Sequence, residues 1–259
     1  MTTTISQSDA SGTASTVRAL QLLDVFTGDN SLLGVSEIAR LAGLPTSTTH
    51  RLLSHLVRGE LLSRIGTDYR LSDRMFELGN QVSYNRPHGV RNIAGPYLGE
   101  VFGITRLTTH LAVLEGSQIL LVDKVSSLQS RPARATVGGR YSAVCTALGK
   151  SLLAFQPEPQ IHKVIATGLP RRTRYSITRP SDLLNQLAEV RASRLATEHE
   201  ESTLGQYSIA SPIFHEGKAV ASIGISGGVN EVDLPKHRAL LVRAASQISN
   251  ELQRSSGNS

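Results

Sequence analysis

Hydrophobic positions in residues 34–59, GVSEIARLAGLPTSTTHRLLSHLVRG, recur at helical spacing in two blocks parted by a short break. Val35, Ile38, Ala39 and Ala42 line one face of a first predicted helix, with Ser36 placed to cap it. Gly43 suits the left-handed residue that ends a helix, and Leu44 the corner behind it. Pro45 follows, and Thr46 or Ser47 opens a second helix that buries Leu52, Leu53, Leu56 and Val57. Its outer face then carries Ser47, His50, Arg51, Ser54, His55 and Arg58, all able to hydrogen-bond. An ordinary αα-hairpin fits this much of the pattern as well as a helix–turn–helix does. The next residues separate the two. Leu62–Ile65 and Tyr69–Leu71 alternate about Gly66-Thr67-Asp68, the signature of a β-hairpin. A hairpin directly after a recognition helix is a wing, and it would carry Arg64 and Arg70 toward phosphates.

Upstream, residues 1–12 are rich in Ser and Thr and read as a disordered arm. Ser15 or Thr16 caps a helix through Phe26, with Val17, Leu20, Leu23 and Val25 or Phe26 facing inward, ended by Gly28-Asp29-Asn30. After the wing, Ser72-Asp73 caps a linker helix running toward Tyr84, before a break at Arg86-Pro87-His88-Gly89. The reading divides the chain into the arm, a winged helix–turn–helix domain over 13–73, a linker helix over 74–88 and a second domain over 89–254.

In that second domain the pattern changes to period two. A helix over about Val90–Phe102 leads into a strong antiparallel hairpin, Thr108–Leu114 and Gln118–Val125, around Glu115-Gly116-Ser117. Arg131–Val137 reads as a further strand, Thr146–Phe155 and Pro159–Ala166 as short helices, and Ser181-Asp182 as the start of a helix to Leu195. In that helix Leu184, Leu187, Ala188, the stem of Arg191 and Leu195 form the expected inner face. Tyr207–Phe214 and Ala219–Ser226 are strands joined by His215–Lys218, and Pro235–Leu252 is a closing helix. Strands paired through turns, with helices gathered between them, predict an α+β fold with an antiparallel sheet.

Composition changes this picture little. The net charge of +6 and pI near 9.8 permit a nucleic-acid partner, yet residues 1–85 hold 7 Arg and no Lys against 8 acidic residues. DNA binding must therefore rest on where the arginines stand. No apolar run approaches ~18 residues, so no membrane partner is expected, and no secretory leader is evident. The single Cys145 excludes an internal disulfide and fits a reducing, cytoplasmic setting. It reads as a small buried apolar residue, since no motif makes it a nucleophile. The eight histidines lack metal-ligand spacing, and no cofactor is expected. The basic run Arg171-Arg172-Thr173-Arg174 with Arg179 reads as a solvated face.

From about Ser15 to Leu252 the chain resembles the IclR family of bacterial transcriptional regulators. The matching stretches are VRALQLLDVF, VSEIARLAGLPTSTTHRLLSHLVRGELL, YRL, HLAVLEG, VGGR, CTALGKSLLAF, EESTLG, IASPIF and IGISGG. The resemblance implies an N-terminal winged helix–turn–helix, a linker helix and a C-terminal GAF-like effector domain with an antiparallel sheet. It also implies a homodimer or tetramer that binds a palindromic operator in double-stranded DNA under control of a small organic acid. Two positions depart from the family pattern: Thr46 stands where many members have Lys, and Thr49 where a buried Val is usual.

The candidate DNA-binding residues are Ser36, Thr46, Ser47, Thr48, His50, Arg51, Ser54, Arg64 and Arg70. Amides and hydroxyls at Thr46–Thr48 suit phosphate, while His50 and Arg51 can reach base edges. Five effector-binding positions are implied by the resemblance. Backbone amides of Ala147 and Leu148 would hold a carboxylate, Glu198 matches a ligand-contacting Asp, and Ser208 matches a Cys. Ser226 matches one member of a Ser-x-Ser pair, the other being Gly224 here, whose missing hydroxyl would open room for a larger ligand unless Gly224 only eases strand packing. The functional expectation is a repressor of a catabolic operon responsive to a small carboxylate or aromatic acid. A constitutive architectural DNA-binding protein and an enzyme with a regulatory winged helix are the alternatives.

Overall fold

The computed structural model describes residues 15–27, 30–85, 89–127 and 135–256. The expected arm, the stop at Gly28-Asp29, the break at Arg86-Pro87-His88 and the start of the expected strand at Arg131 lie outside these residues. The chain folds as two compact units, the first ending at Val82 and the second beginning at Ser83.

The first unit opens with helix α1 over 15–21, which tightens into a 3-10 turn at Leu22–Val25. Ala19, Leu22 and Phe26 are buried, whereas Val17 and Leu20, expected inside, are about half exposed. Strand β1 (Leu33–Gly34) precedes α2 (Val35–Ala42). Gly34 stands at the N-cap of α2 and no side chain caps it, so Ser36 sits two positions past the cap, inside the helix, rather than capping it. Gly43 adopts φ 64°, and its amide and that of Leu44 close onto Arg40 O and Ala39 O. That pair of bonds is the glycine-terminated helix end the sequence predicts. Helix α3 (Thr46–Arg58) follows and buries Leu52, Leu53, Leu56 and Thr49. Thr49 tolerates an apolar site because its hydroxyl donates back to Pro45 O at 3.1 Å. Strands β2 (Leu62–Ile65) and β3 (Asp68–Leu71) form the wing, with β1 added beyond β3. Its turn is two residues, with Gly66 at φ 61° and Asp68 already paired to Ile65. Helix α4 (Asp73–Asn80) is two turns long and stops short of Tyr84.

The second unit is a six-stranded antiparallel sheet in the order β6-β5-β4-β9-β8-β7. Its strands are β4 (Thr108–Glu115), β5 (Gln118–Val125), β6 (Arg140–Ser142), β7 (Ala196–His199), β8 (Gln206–His215) and β9 (Lys218–Gly228). The described part of the expected strand at 131–137 is not extended in the sheet; the strand there is Arg140–Ser142. Helices α5 (Val90–Thr105) and α9 (Leu234–Ser256) cover one face over Leu111, Ile209, Ile223 and Ile225. Helices α6 (Ala147–Leu153), α7 (Glu158–Ala166) and α8 (Pro180–Ser193) cover the other over Ala112, Leu121 and Ala210. In α8 the buried residues are Leu183, Leu187 and Val190, and Ala188 faces solvent, so the expected inner face is rotated by about one residue.

Register decides what the second face offers. Thr108 pairs with Ser226, Ser226 with Ser208 and Ser208 with Glu198, a polar row across β4, β9, β8 and β7. The next row is His110, Gly224, Ala210 and Ala196. Its three small residues form the seat on which α6 rests. A Cβ at Gly224 would meet Ile209 O at 2.8 Å, Ala210 Cβ at 2.9 Å and Leu148 Cδ2 at 3.1 Å. Gly224 is thus a packing glycine, and the room expected from its missing side chain is filled by Leu148.

Candidate nucleic-acid interface and ligand cavity

On α3, Thr46, Ser47, His50, Arg51, Ser54, His55 and Arg58 are exposed and Thr48 is half-buried, on a helix without a single carboxylate. Ser47, Arg51, Ser54 and Arg58 follow one another at helical intervals along one stripe. The Ser54 hydroxyl donates to His50 O at 3.0 Å, and Arg58 Nη2 lies 3.0 Å from His55 Nδ1. Arg51 makes no ion pair among the described residues, so its fork of donors is open. Ser36 is exposed on α2, in the first turn. On the wing, Arg64 pairs across the hairpin with Tyr69 and Arg70 with Ser63, so the two arginines leave opposite faces of the ribbon. Arg64 is also held: its Nε donates to Gly66 O at 3.0 Å, and its guanidinium lies 6.0 Å from the Tyr69 ring centre. Arg70 is exposed, without such ties among the described residues.

In the second unit a cavity of about 1450 Å³ opens between the polar sheet row and the start of α6. Ala147, Leu148, Ser208 and Ser226 all line it. Thr146 caps α6, its hydroxyl accepting from Gly149 N at 3.1 Å, and the Ala147 and Leu148 amides are left without partners among the described residues. The cap sits tight because Gly149 lies on Ala143: a Cβ there would come within 2.2 Å of Ala143 O. Glu198 does not line the cavity. It is 1% exposed, behind Ser208, whose hydroxyl donates to Oε2 at 2.7 Å. Its Oε1 accepts from Ser202 N at 3.0 Å and Ser202 Oγ at 3.2 Å. The implied ligand-contacting acid instead orients a wall serine and anchors the 200–205 turn.

Several residues of this region carry no pattern signal. His110 lines the cavity at 5% exposure, its Nε2 2.8 Å from Ser226 Oγ. Burial, with Lys124 nearby, pushes its pKa down to about 4, so it is neutral at ordinary pH. Arg106 and Arg172 also line the cavity, and neither has an ion-pair partner among the described residues. Arg172 belongs to the run read from sequence as a solvated face. Beneath, Lys150 is fully buried, its Nζ 2.5 Å from Glu201 Oε1 and 2.8 Å from Gln186 Oε1. Burial raises the Glu201 carboxyl above its ordinary pKa, opposed by Lys150. Cys145 is buried, and burial pushes its thiol up, which suits the apolar role expected of it. Among the described residues no group of His, Cys, Asp and Glu could hold a metal ion, and no helix is long and apolar enough to cross a membrane.

Comparison with known proteins agrees with this geometry. The family model for the IclR helix-turn-helix domain matches residues 15–66, and that for the bacterial transcriptional regulator IclR C-terminal region matches residues 82–250. The chain is 28% identical over 244 residues to the transcriptional repressor IclR of Escherichia coli, covering 91% of this chain and 88% of that one. It is 30% identical over 223 residues to the regulator BhcR of Paracoccus denitrificans, covering 85% of this chain and 79% of the relative. Among solved structures, an IclR homolog from Microbacterium hydrocarbonoxydans complexed with 4-hydroxybenzoate has TM-score 0.83 at 27% identity, covering 92% of this chain and 98% of that one. The Thermotoga maritima IclR has TM-score 0.77 at 28% identity, covering 93% and 99%. The chain belongs to the IclR family of bacterial transcriptional regulators.

Proposed function

We propose that this regulator is a repressor whose affinity for a two-fold operator is set by a small hydroxylated or aromatic carboxylate in the second unit. The observation that carries the reading is the cavity itself. One wall is a row of hydroxyls, another holds two α6 amides without partners among the described residues, and Arg106 and Arg172 stand on the lining with no ion pair among the described residues, beside the single lining carboxylate, Glu231. That set of donors favours an anion with further polar groups. The relative crystallised with 4-hydroxybenzoate carries a ligand of this class.

In the first unit, Arg51 and His50 read bases, with Thr46, Ser47, Thr48, Ser54 and Ser36 on the phosphates and Arg70 on the neighbouring backbone. Arg64 takes a lesser part, being tied to its own turn. Val17, Leu20, Phe76 and Leu78 are exposed, Phe76 at 72%, and supply the apolar contact of a homodimer whose two-fold axis matches the operator's. Light scattering should report a dimer or tetramer at micromolar concentration, and a stable monomer would oppose this part.

Effector binding changes operator affinity by a coupling free energy. The test is a titration of purified protein with candidate acids while binding to a selected operator duplex is followed. A shift of affinity with acid supports the regulator. Tight binding indifferent to every acid would favour an architectural protein, and turnover of an acid an enzyme.

A further inference from the structure

We infer that His110, paired with Ser226, is the residue that selects among acids, by reading a neutral hydroxyl or carbonyl group of the effector. The inference rests on the proposal that the cavity takes a carboxylate, and it assigns the opposite end of that ligand.

His110 stands in the middle of the sheet, in the row whose other members are Gly224, Ala210 and Ala196. None of these neighbours offers a side-chain hydrogen bond. Its Nε2 contacts Ser226 Oγ at 2.8 Å, and its Nδ1 is buried with no partner among the described residues. A neutral imidazole carries one donor and one acceptor. If Nε2 donates to Ser226, the serine proton is free to donate and Nδ1 is an unused acceptor. If Nε2 accepts from Ser226, the serine oxygen is free to accept and Nδ1–H is an unused donor. Either tautomer leaves a buried polar site unmatched, which is rare in native interiors unless something else completes it. Through the free half of the Ser226 hydroxyl the pair can therefore present a donor or an acceptor, set by the His110 tautomer, to a ligand in the cavity, where both residues lie on the lining while Nδ1 itself is enclosed.

Charge decides what kind of group is read. By register His110 pairs with Lys124 on the other side, whose ammonium donates to Ala135 O at 3.0 Å. Burial and this neighbouring cation keep the imidazole uncharged. It is thus no counter-ion for a carboxylate. Among the described residues, the cationic side chains on the lining without ion-pair partners are Arg106 and Arg172, so the acid group belongs to them and to the α6 amides, and the uncharged polar group to His110 and Ser226. A site built to hydrogen-bond a hydroxyl rejects the analogue lacking it, because its own buried groups are then left unpaired.

The experiment is calorimetric binding of matched acids to the full chain: 4-hydroxybenzoate against benzoate, and lactate against propionate. Wild type should prefer the hydroxylated member of at least one pair by about tenfold or more. His110→Phe, which keeps a ring but offers no hydrogen bond, should bring that preference to within about twofold. Ser226→Ala, a milder change, should also reduce it, so the test does not depend on His110→Phe folding. The ring-nitrogen NMR shifts of His110 should move with the hydroxylated acid and stay with the plain one. Equal binding of both members by wild type, or a preference kept in both variants, would overturn the assignment while leaving an acid-binding cavity in place. Binding of none of the four acids would instead refute the acid-binding reading, and this inference with it.

Discussion

Replacing Lys150 by Met tests how the cavity's rim is held. The side chain keeps most of its length and loses its charge. Lys150 is 1% exposed and Glu201 7%, with their charged atoms 2.5 Å apart. The second carboxylate oxygen, Glu201 Oε2, already lacks a partner among the described residues. Taking the ammonium away leaves a buried carboxylate with no cation, a change that costs about 3–5 kcal/mol. The cost should depend on pH in a definite direction. The folded state holds the Glu201 carboxyl above its ordinary pKa, chiefly by burial, and Lys150 is the main influence pulling it down. Without Lys150 the folded value rises further. Such a group contributes stability below its unfolded pKa and loses it as pH rises through the folded value. The penalty of Lys150→Met should therefore be largest near about pH 8 and shrink toward about pH 5. Urea unfolding followed by far-UV circular dichroism measures it. The double variant Lys150→Met/Glu201→Leu should recover most of the loss, since an apolar pair of similar volume replaces the ions. A penalty below about 1 kcal/mol at neutral pH, or one that stays flat with pH, would refute the claim that Lys150 neutralises a buried Glu201 carboxylate in the folded state.

Three further outcomes follow from named contacts. Arg51→Ala should abolish operator preference with folding intact, whereas Arg70→Ala should weaken all duplexes alike and lower the salt slope by up to about one unit, more than Arg64→Ala; gel shifts across a salt series check both. His110 titrates near 6.5 when unfolded and only at about 4 when folded, so its contribution falls as pH drops through that window and reaches a loss of about 3 kcal/mol. Wild type should lose that much more than His110→Gln on acidification, and parallel curves would contradict the burial argument. Gly149→Ala should cost about 3 kcal/mol or more, because its Cβ would collide with Ala143 O at 2.2 Å; a near-neutral melting temperature would show that α6 can leave its seat.

The helix–turn–helix is legible from local chemistry. Gly43, the 3.6-residue apolar spacing and the Gly66 turn each specify their own geometry, and α2, α3 and the wing stand where the pattern puts them. Ser36 misleads because Gly34 already supplies the extended residue before α2, so the cap-forming residue falls two positions late. Strands β1, β6 and β7 escape because they are two to four residues long and sit at sheet edges, where pairing rather than side-chain pattern makes the strand. The cavity is less legible still. The row Thr108, Ser226, Ser208 and Glu198 is assembled by register from three consecutive strands and from β4, far earlier in the chain. In a linear reading His110 is one more residue in an alternating strand, and its pairing with Ser226, diagonal to it on the neighbouring strand, exists only once the register is set. Glu198, implied by the resemblance as a ligand contact, lies behind the cavity wall with its carboxylate bonded to Ser202 and Ser208, an arrangement that only the strand register reveals.

The most direct test of the account is operator affinity measured with and without saturating acid, in wild type and in Ser226→Val, by fluorescence anisotropy on one selected duplex. The account predicts that acid shifts wild-type affinity by about 5–150-fold. Ser226→Val, whose side chain crowds the polar row and removes the hydroxyl paired with His110, should bind the same duplex as tightly as acid-free wild type and not respond. A variant that responds with the wild-type midpoint would place effector control outside this cavity and contradict the account.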